Sequence, residues 1–121
     1  MEFIVIKNKF QQLRLMKMGA AIYEWLAFSD KTSIVMNNDD LEVYKDSKAG
    51  YFGSTIGRVA NRINNATFEL DGVKYQLPKN NLNKHNLHGG SYGFDLHQFE
   101  VVEKTETKVV FKTISPDMEN G

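Results

Sequence analysis

Residues 67–77, TFELDGVKYQL, carry a β-hairpin signal that limits the possible folds of this chain. Apolar residues alternate with polar ones before Asp71-Gly72 and again after it. An Asp-Gly pair favours a two-residue turn between antiparallel strands, and the strand period of two places alternate side chains on one face. We predict a hairpin with one buried apolar face, which contributes roughly 1.5 to 3 kcal/mol per fully buried large side chain. That face would comprise Phe68, Leu70, Val73, Tyr75 and Leu77.

The segments on either side of this hairpin also favour strands. β-branched residues surround the polar connection EKTETK and predict a second hairpin. Nearer the amino terminus, apolar and polar residues alternate in QLRLM. Periodicity alone leaves AAIYEWLAF open between a strand and a buried helix. It follows Gly19 and is rich in sheet-forming residues, which favours a strand. The predicted strands are 12–16, 20–28, 34–36, 99–103 and 108–114, with a turn at 29–33.

Two further segments differ from this pattern. DDLEVYKDS, residues 39–47, has helical character, and Asp39 or Asp40 would cap its start. The stretch 78–93 is rich in Asn and Gly and has few apolar residues, so we predict a long loop. Long loops in compact domains are more often functional than not.

Length, charge and composition exclude several classes of protein. The 121 residues fit one domain with one modest core. Fifteen basic and fifteen acidic residues cancel, and no basic cluster is interleaved with aromatic residues, so nucleic acid is not an expected partner. The longest apolar stretch is broken by Glu24 and falls short of the roughly 20 residues of a membrane span. The absence of cysteine and of a signal-peptide pattern favours the cytoplasm.

His88 lies between Leu87 and two glycines in NLHGG. A single loop histidine is commonly solvent-exposed or bonded to backbone, but glycines permit positive φ and let a ligand approach the chain closely. His85, His88 and His97 together suggest a three-histidine metal site as a hypothesis. Spacing on an irregular loop does not determine the geometry that such a site needs. GSTIGR at 53–58 lacks the Gly-Lys-Ser/Thr ending of a phosphate-binding loop.

GRVANRI, residues 57–63, places Arg58 and Arg62 four apart, on the same side of a strand. One interpretation is a pair of solvated charges. The other is that the strand holds one guanidinium, whose planar fork of donors suits adjacent hydroxyls or a carboxylate. The sequence pattern alone leaves both interpretations open.

Three motifs in register resemble the aldose 1-epimerase, or galactose mutarotase, family. They are YFGSTIGRVANRI at 51–63, the hairpin at 68–77 and NLHGGSYGFD at 86–95. The resemblance is weaker from 19 to 30 and returns at SPDMENG, 115–121. It implies an all-β fold, an antiparallel β-sandwich (the galactose mutarotase-like supersandwich), of which residues 1–121 would form a single, incomplete, N-terminal part.

The resemblance also implies an activity and a site. The family interconverts the α and β anomers of galactose, glucose and similar aldohexoses by acid–base ring opening, without a metal or organic cofactor. A carboxylate removes the C1 hydroxyl proton while an imidazolium protonates the ring oxygen. By motif correspondence, Asn61 and Arg62 would bind sugar hydroxyls, and His88 would take an auxiliary, positioning role near the reacting end.

This sequence departs from the family in two ways. His85 replaces an Asn usually found three residues before the histidine, and the loop is about one residue longer. Family members are also several hundred residues long, and their acid histidine and base glutamate match no residue of this chain. We therefore expect a truncated epimerase chain that is inactive alone, with a non-catalytic carbohydrate-binding module as the alternative. Unpaired sheet edges would also favour self-association.

Overall fold

The computed structural model of the protein describes residues 2–27, 32–46 and 50–121. Short antiparallel strands dominate these residues, and short 3₁₀ helices span Leu41–Lys45, Asn64–Ala66 and Phe94–Leu96. The strands are β1 (Ile4–Lys7), β2 (Gln11–Leu15), β3 (Ile22–Ala27), β4 (Arg62–Ile63), β5 (Thr67–Leu70), β6 (Val73–Gln76), β7 (Asn86–Leu87), β8 (Glu100–Lys104) and β9 (Val109–Lys112). None of the helices in the described residues has the length and hydropathy needed to span a bilayer.

The amino-terminal sheet has the strand order β1-β2-β3. β2 and β3 confirm the strands predicted at 12–16 and 20–28, with slightly different ends. β1 was not predicted, because its short apolar run carries no turn signal of its own. It pairs with β2 so that Ile4 faces Leu15, and both side chains are buried. Pairing across this sheet therefore determines the structure of the amino terminus.

The strand predicted at 34–36 is wrong. Ser33 forms only an isolated bridge with Leu26, while Ile34 and Met36 are exposed. The Ser33 hydroxyl accepts a hydrogen bond from the Trp25 amide at 3.2 Å, so a side chain takes the place of a backbone ladder bond. Most of the predicted turn at 29–33 lies outside the described residues.

The helical character of residues 39–47 is confirmed by the 3₁₀ helix Leu41–Lys45. The Asp40 side chain caps it by accepting a hydrogen bond from the Glu42 amide at 3.0 Å. This helix packs onto the amino-terminal sheet through Tyr44, whose ring centroid lies 6.1 Å from that of Tyr23. The hydrophobic core consists of Met16, Ala21, Tyr23 and Tyr44, with Phe3, Leu41, Val43 and Phe52 packed against it.

Both predicted hairpins form, as β5-β6 and β8-β9. In the first, Phe68 pairs with Tyr75 and Leu70 with Val73, so the apolar side chains share a face as predicted. The prediction that this face is buried is wrong, because Phe68, Leu70 and Val73 are 40%, 57% and 53% exposed. Alternation determined the pairing but not the burial. In the described part of the chain, β5-β6 is a sheet of two strands.

The 78–93 segment is mostly loop, as predicted, but it contains the short strand β7. β7 pairs with β4, so that Arg62 faces Leu87 and Ile63 faces Asn86. The segment after this loop returns to the amino-terminal sheet, where Gly19 N donates to His97 O at 2.8 Å. The β4-β7 pair thus brings residues 61–63 and 86–88 together beside the main sheet.

Candidate functional site

The turn that carries His88 has an unusual backbone. His88 has φ of +52°, and Gly89 and Gly90 follow with +85° and +112°. A β-carbon placed on Gly57 would lie 2.8 Å from the His88 carbonyl oxygen, so the 57–58 segment approaches this turn closely because Gly57 has no side chain. A non-glycine residue at positive φ is uncommon and is maintained by its surroundings.

Asn61 and His88 hold each other through two hydrogen bonds. The His88 amide donates to the Asn61 carbonyl at 2.9 Å, and the Asn61 amide donates to Nδ1 of His88 at 3.0 Å. A backbone N–H can only donate, so Nδ1 is the acceptor and Nε2 carries the proton of the neutral ring. His88 is therefore equipped to donate one hydrogen bond from Nε2.

Arg62 joins the same network. Its Nη1 donates to Oδ1 of Asn61 at 3.2 Å, and its Nε donates to Oδ1 of Asn81 at 3.0 Å. The pKa of His88 is lowered, first by burial and second by the positive charge of Arg62. Both causes favour the neutral ring that the Asn61 contact requires. The structure thus brings together the three residues that the family resemblance selected.

A cleft of about 490 Å³ lies next to this network. The Tyr51 ring, which lines the cleft, lies edge-on to His88 with ring centroids 4.5 Å apart. Burial, followed by the negative charge of Asp95, raises the pKa of Tyr51 and keeps its hydroxyl protonated. Asn81, the partner of Arg62, also lines the cleft. The lining residues are Gly50, Tyr51, Lys79, Asn80, Asn81, Asn83, Leu87 and Ser91.

Asparagine side chains shape the loop beside the cleft. Asn80 donates from Nδ2 to the Leu87 carbonyl and accepts from the Leu87 amide at Oδ1, both at 2.8 Å. Asn86 is buried and donates to the Pro78 carbonyl at 3.0 Å. No sequence pattern indicated Tyr51, Asn80 or Asn81 as site residues. The asparagine content of 78–93 was a signal, since Asn side chains readily bond backbone groups.

The other two histidines lie in separate contacts. Nδ1 of His85 accepts from the Asn65 amide at 3.2 Å. His97 is buried, with Nδ1 3.0 Å from the Thr113 hydroxyl and Nε2 3.0 Å from a Glu119 oxygen. The Nε2 contact is an ion-pair distance without hydrogen-bond geometry. Within residues 2–27, 32–46 and 50–121, no three His, Cys, Asp or Glu residues group as metal ligands.

The prediction that Arg58 and Arg62 lie on one strand is wrong. Only Arg62 lies in β4, and residues 57–61 are not in a strand. Arg58 instead donates from Nε to the Ser115 hydroxyl at 2.9 Å and from Nη2 to the Pro116 carbonyl at 2.6 Å. The positive φ of Asn61 interrupts extended backbone between the two arginines. Arg58 is thus a structural contact, while Arg62 bonds Asn61 and the cleft residue Asn81.

A sequence model of the aldose 1-epimerase family matches residues 2–121. The chain belongs to the aldose 1-epimerase family. Curated relatives include the galactose mutarotase of Rattus norvegicus, which is 36% identical over 94% of this chain. The galactose mutarotase of Bos taurus is 43% identical over 74% of it. The resemblance identified from the three motifs is therefore confirmed.

Solved structures agree with this assignment. An aldose epimerase homologue from C. elegans matches 99% of the chain with a TM-score of 0.87 and 35% identity. Galactose 1-epimerase from Lactobacillus acidophilus matches 98% with a TM-score of 0.81, and at 22% identity it supports the fold alone. The predicted all-β, antiparallel, mutarotase-like fold is confirmed. The chain spans 35% of the rat protein, 25% of the bovine protein and 38% of the C. elegans chain.

Proposed function

We propose that this chain provides the sugar-binding part of an aldose 1-epimerase site, with an aldohexose as its ligand. The observation that carries the proposal is the hydrogen-bonded group of Asn61, Arg62 and His88 beside an open cleft. Arg62 uses Nε and Nη1 on asparagine oxygens. Within residues 2–27, 32–46 and 50–121 its Nη2 has no hydrogen-bond partner, and its planar fork of donors suits sugar hydroxyls. The Asn61 side chain adds a second polar contact.

His88 would act at the reacting end of the sugar. Its Nε2–H is a donor at fixed orientation, because Nδ1 is held by the Asn61 amide. In the epimerase reaction a base removes the C1 hydroxyl proton, an acid protonates the ring oxygen, and the bond between C1 and the ring oxygen breaks. The open-chain aldehyde rotates and closes to the other anomer. A neutral His88 would stabilise negative charge on oxygen in this sequence rather than deliver the proton.

The activity is best tested by following anomer exchange on freshly dissolved α-D-galactose with NMR. We expect no exchange above the buffer rate from these 121 residues, since no residue of this chain matches the family's acid histidine or base glutamate. We do expect galactose-induced shifts at His88. Exchange that is accelerated by the chain and lost in His88→Ala would contradict the expectation of inactivity and establish an enzyme.

The second candidate is a carbohydrate-binding module without turnover in any assembly. It shares the Arg62 and His88 contacts, so binding alone does not separate it from the first candidate. Adding a separately expressed polypeptide that carries the remainder of an aldose epimerase domain separates the two. Restored exchange supports the epimerase part, and binding without exchange in the mixture supports the module. In either case we place the cysteine-free chain in the cytoplasm.

Self-association is a further proposal about partners. Phe68, Leu70 and Val73 are each exposed on one face of β5-β6, to between 40% and 57%. In the described residues this hairpin and β8-β9 are each sheets of two strands, so their edges retain unpaired backbone groups. Exposed apolar patches and free strand edges favour contact between chains. We expect the isolated chain to associate through this face.

A further inference from the structure

The carboxy-terminal turn, residues 115–121, packs against the turn that carries His88. Oδ1 of Asn120 accepts from the Tyr92 amide at 3.2 Å, and Nδ2 donates to the Tyr92 carbonyl at 2.7 Å. The Asn120 side chain thus bonds both the backbone N–H and the backbone C=O of Tyr92, as a neighbouring β-strand would. The SPDMENG motif is part of the family resemblance, but the sugar-binding proposal assigns it no role.

Asn120 also determines how close this turn lies to the residues after His88. A β-carbon placed on Gly90 would lie 2.8 Å from Oδ1 of Asn120 and 2.9 Å from its Cβ. Gly90 itself is buried, and its amide donates to the Leu87 carbonyl at 3.0 Å. Asn120 therefore bonds the backbone four residues beyond His88 and approaches position 90, two residues beyond it. Only glycine at position 90 permits this approach.

The turn that carries Asn120 is itself anchored. Arg58 bonds Ser115 and Pro116, and the Ser115 hydroxyl donates to the Glu119 carboxylate. Another oxygen of Glu119 lies 3.0 Å from Nε2 of the buried His97. Asn120 has φ of +60°, which asparagine tolerates better than most residues. Contacts on both sides of Asn120 thus fix where its amide lies.

We propose that Asn120 is a positioning residue for His88. The His88 backbone, at φ of +52°, needs support to remain in the left-handed region. Asn61 supports it from the side of β4, and Asn120 supports the Gly90–Tyr92 backbone that follows. Together they fix the direction of the His88 ring and of its Nε2–H. The consequence for sugar binding rests on the function proposed above, whereas the effect on the ring does not.

The test compares variants that preserve the backbone conformation. Asn120→Gly keeps the left-handed φ and removes the side-chain amide, and Asn120→Asp keeps the acceptor for the Tyr92 amide but loses the donor. Asn8→Ala is the matched control, since it removes an asparagine side chain that accepts from the Phe10 and Gln11 amides in the turn between β1 and β2. The readouts are the ¹⁵N shifts of the His88 ring, which report its tautomer, and the Kd for galactose from NMR titration.

We expect Asn120→Gly to move the His88 ring shifts towards a tautomer mixture and to weaken galactose binding about tenfold. Asn120→Asp should lie between Asn120→Gly and wild type, and Asn8→Ala should leave both readouts at wild-type values. Wild-type ring shifts in Asn120→Gly, or equal changes in Asn8→Ala, would overturn the proposal. If wild type binds no galactose, the proposed function fails, and the ring shifts still decide the role of Asn120. If Asn120→Gly does not fold, Asn120→Asp decides it by the same readouts.

Discussion

At the scale of single residues, the site depends on the charge state of His88. Its ring nitrogen Nδ1 accepts from a backbone amide, which is a contact that the protonated ring cannot make. Burial and the Arg62 charge both lower the His88 pKa. Protonation of this ring would therefore cost the contact with Asn61 and place two positive charges side by side.

We predict that an NMR titration of His88 gives a pKa below 6.5, its ordinary value. Because the folded-state pKa is depressed, the unfolded chain takes up the proton first as the pH falls. The stabilisation from neutral His88 is thus complete above pH 6.5 and is lost as the pH falls through the folded-state pKa. Unfolding measured in urea on both sides of this range should show the loss.

Arg62→Gln supplies the control for this titration. This variant removes the positive charge of Arg62, which is the second cause of the lowered pKa, and should therefore raise the His88 pKa. The pKa should remain below its ordinary value, because burial is the larger cause. Arg62 is exposed, so the variant should fold. A His88 pKa at or above 6.5 in wild type, or one that does not respond to Arg62→Gln, would be inconsistent with this description.

At the scale of elements, the apolar side chains fall into two groups with different energetic roles. Met16 is fully buried at the centre of the core, whereas Leu70 on β5 is 57% exposed. We predict that Met16→Ala lowers the free energy of unfolding by about 2 to 5 kcal/mol through cavity formation. Leu70→Ala should change it by about 0.5 kcal/mol or less, as for other surface positions. Urea denaturation of both variants tests this, and equal losses would show that the β5-β6 face is buried in solution.

Sequence patterns predicted local pairing better than they predicted burial. The turn at Asp71-Gly72 and the alternation around it were sufficient for β5-β6, because hairpin register depends on neighbouring residues. The same alternation predicted a buried face, but burial depends on which other elements pack there. Contacts with other segments also explain two errors in the predicted strands. β1 was missed because its structure depends on pairing with β2. The strand at 34–36 was wrongly predicted because the Ser33 hydroxyl, and not a backbone ladder, bonds the Trp25 amide.

The candidate site was predictable only through motif resemblance. Asn61, Arg62 and His88 come together because β4 pairs with β7, and two-residue strands carry no periodic signal. Tyr51 contacts His88 and Asn81 contacts Arg62 from other segments of the chain, and Asn120 bonds the Tyr92 backbone. Spacing on a loop could not have identified them. The pattern did identify the loop itself as unusually long and rich in asparagine.

At the scale of the whole molecule, the chain corresponds to 38% of the C. elegans homologue but superposes on it with a TM-score of 0.87. The part of the family fold described here therefore retains its arrangement while exposing apolar side chains. We predict that the chain self-associates at micromolar concentration in sedimentation velocity and that Leu70→Lys reduces this association. Leu82→Lys, the same change at an exposed leucine of the 78–93 loop, is the control. A monomeric wild type, or association unchanged by Leu70→Lys, would contradict the assignment of this face.

We propose that Asn61, Arg62 and His88 form one binding site for an aldohexose. Titration of the isotopically labelled chain with galactose, followed by ¹H–¹⁵N NMR, tests it most directly. We predict saturable shifts at the Arg62 Nε–H, the His88 ring and the Asn61 amides, and about tenfold weaker binding in Arg62→Lys, which lacks the planar fork of donors. The absence of saturable shifts, or shifts confined to β5-β6 and unaffected by Arg62→Lys, would contradict the claim.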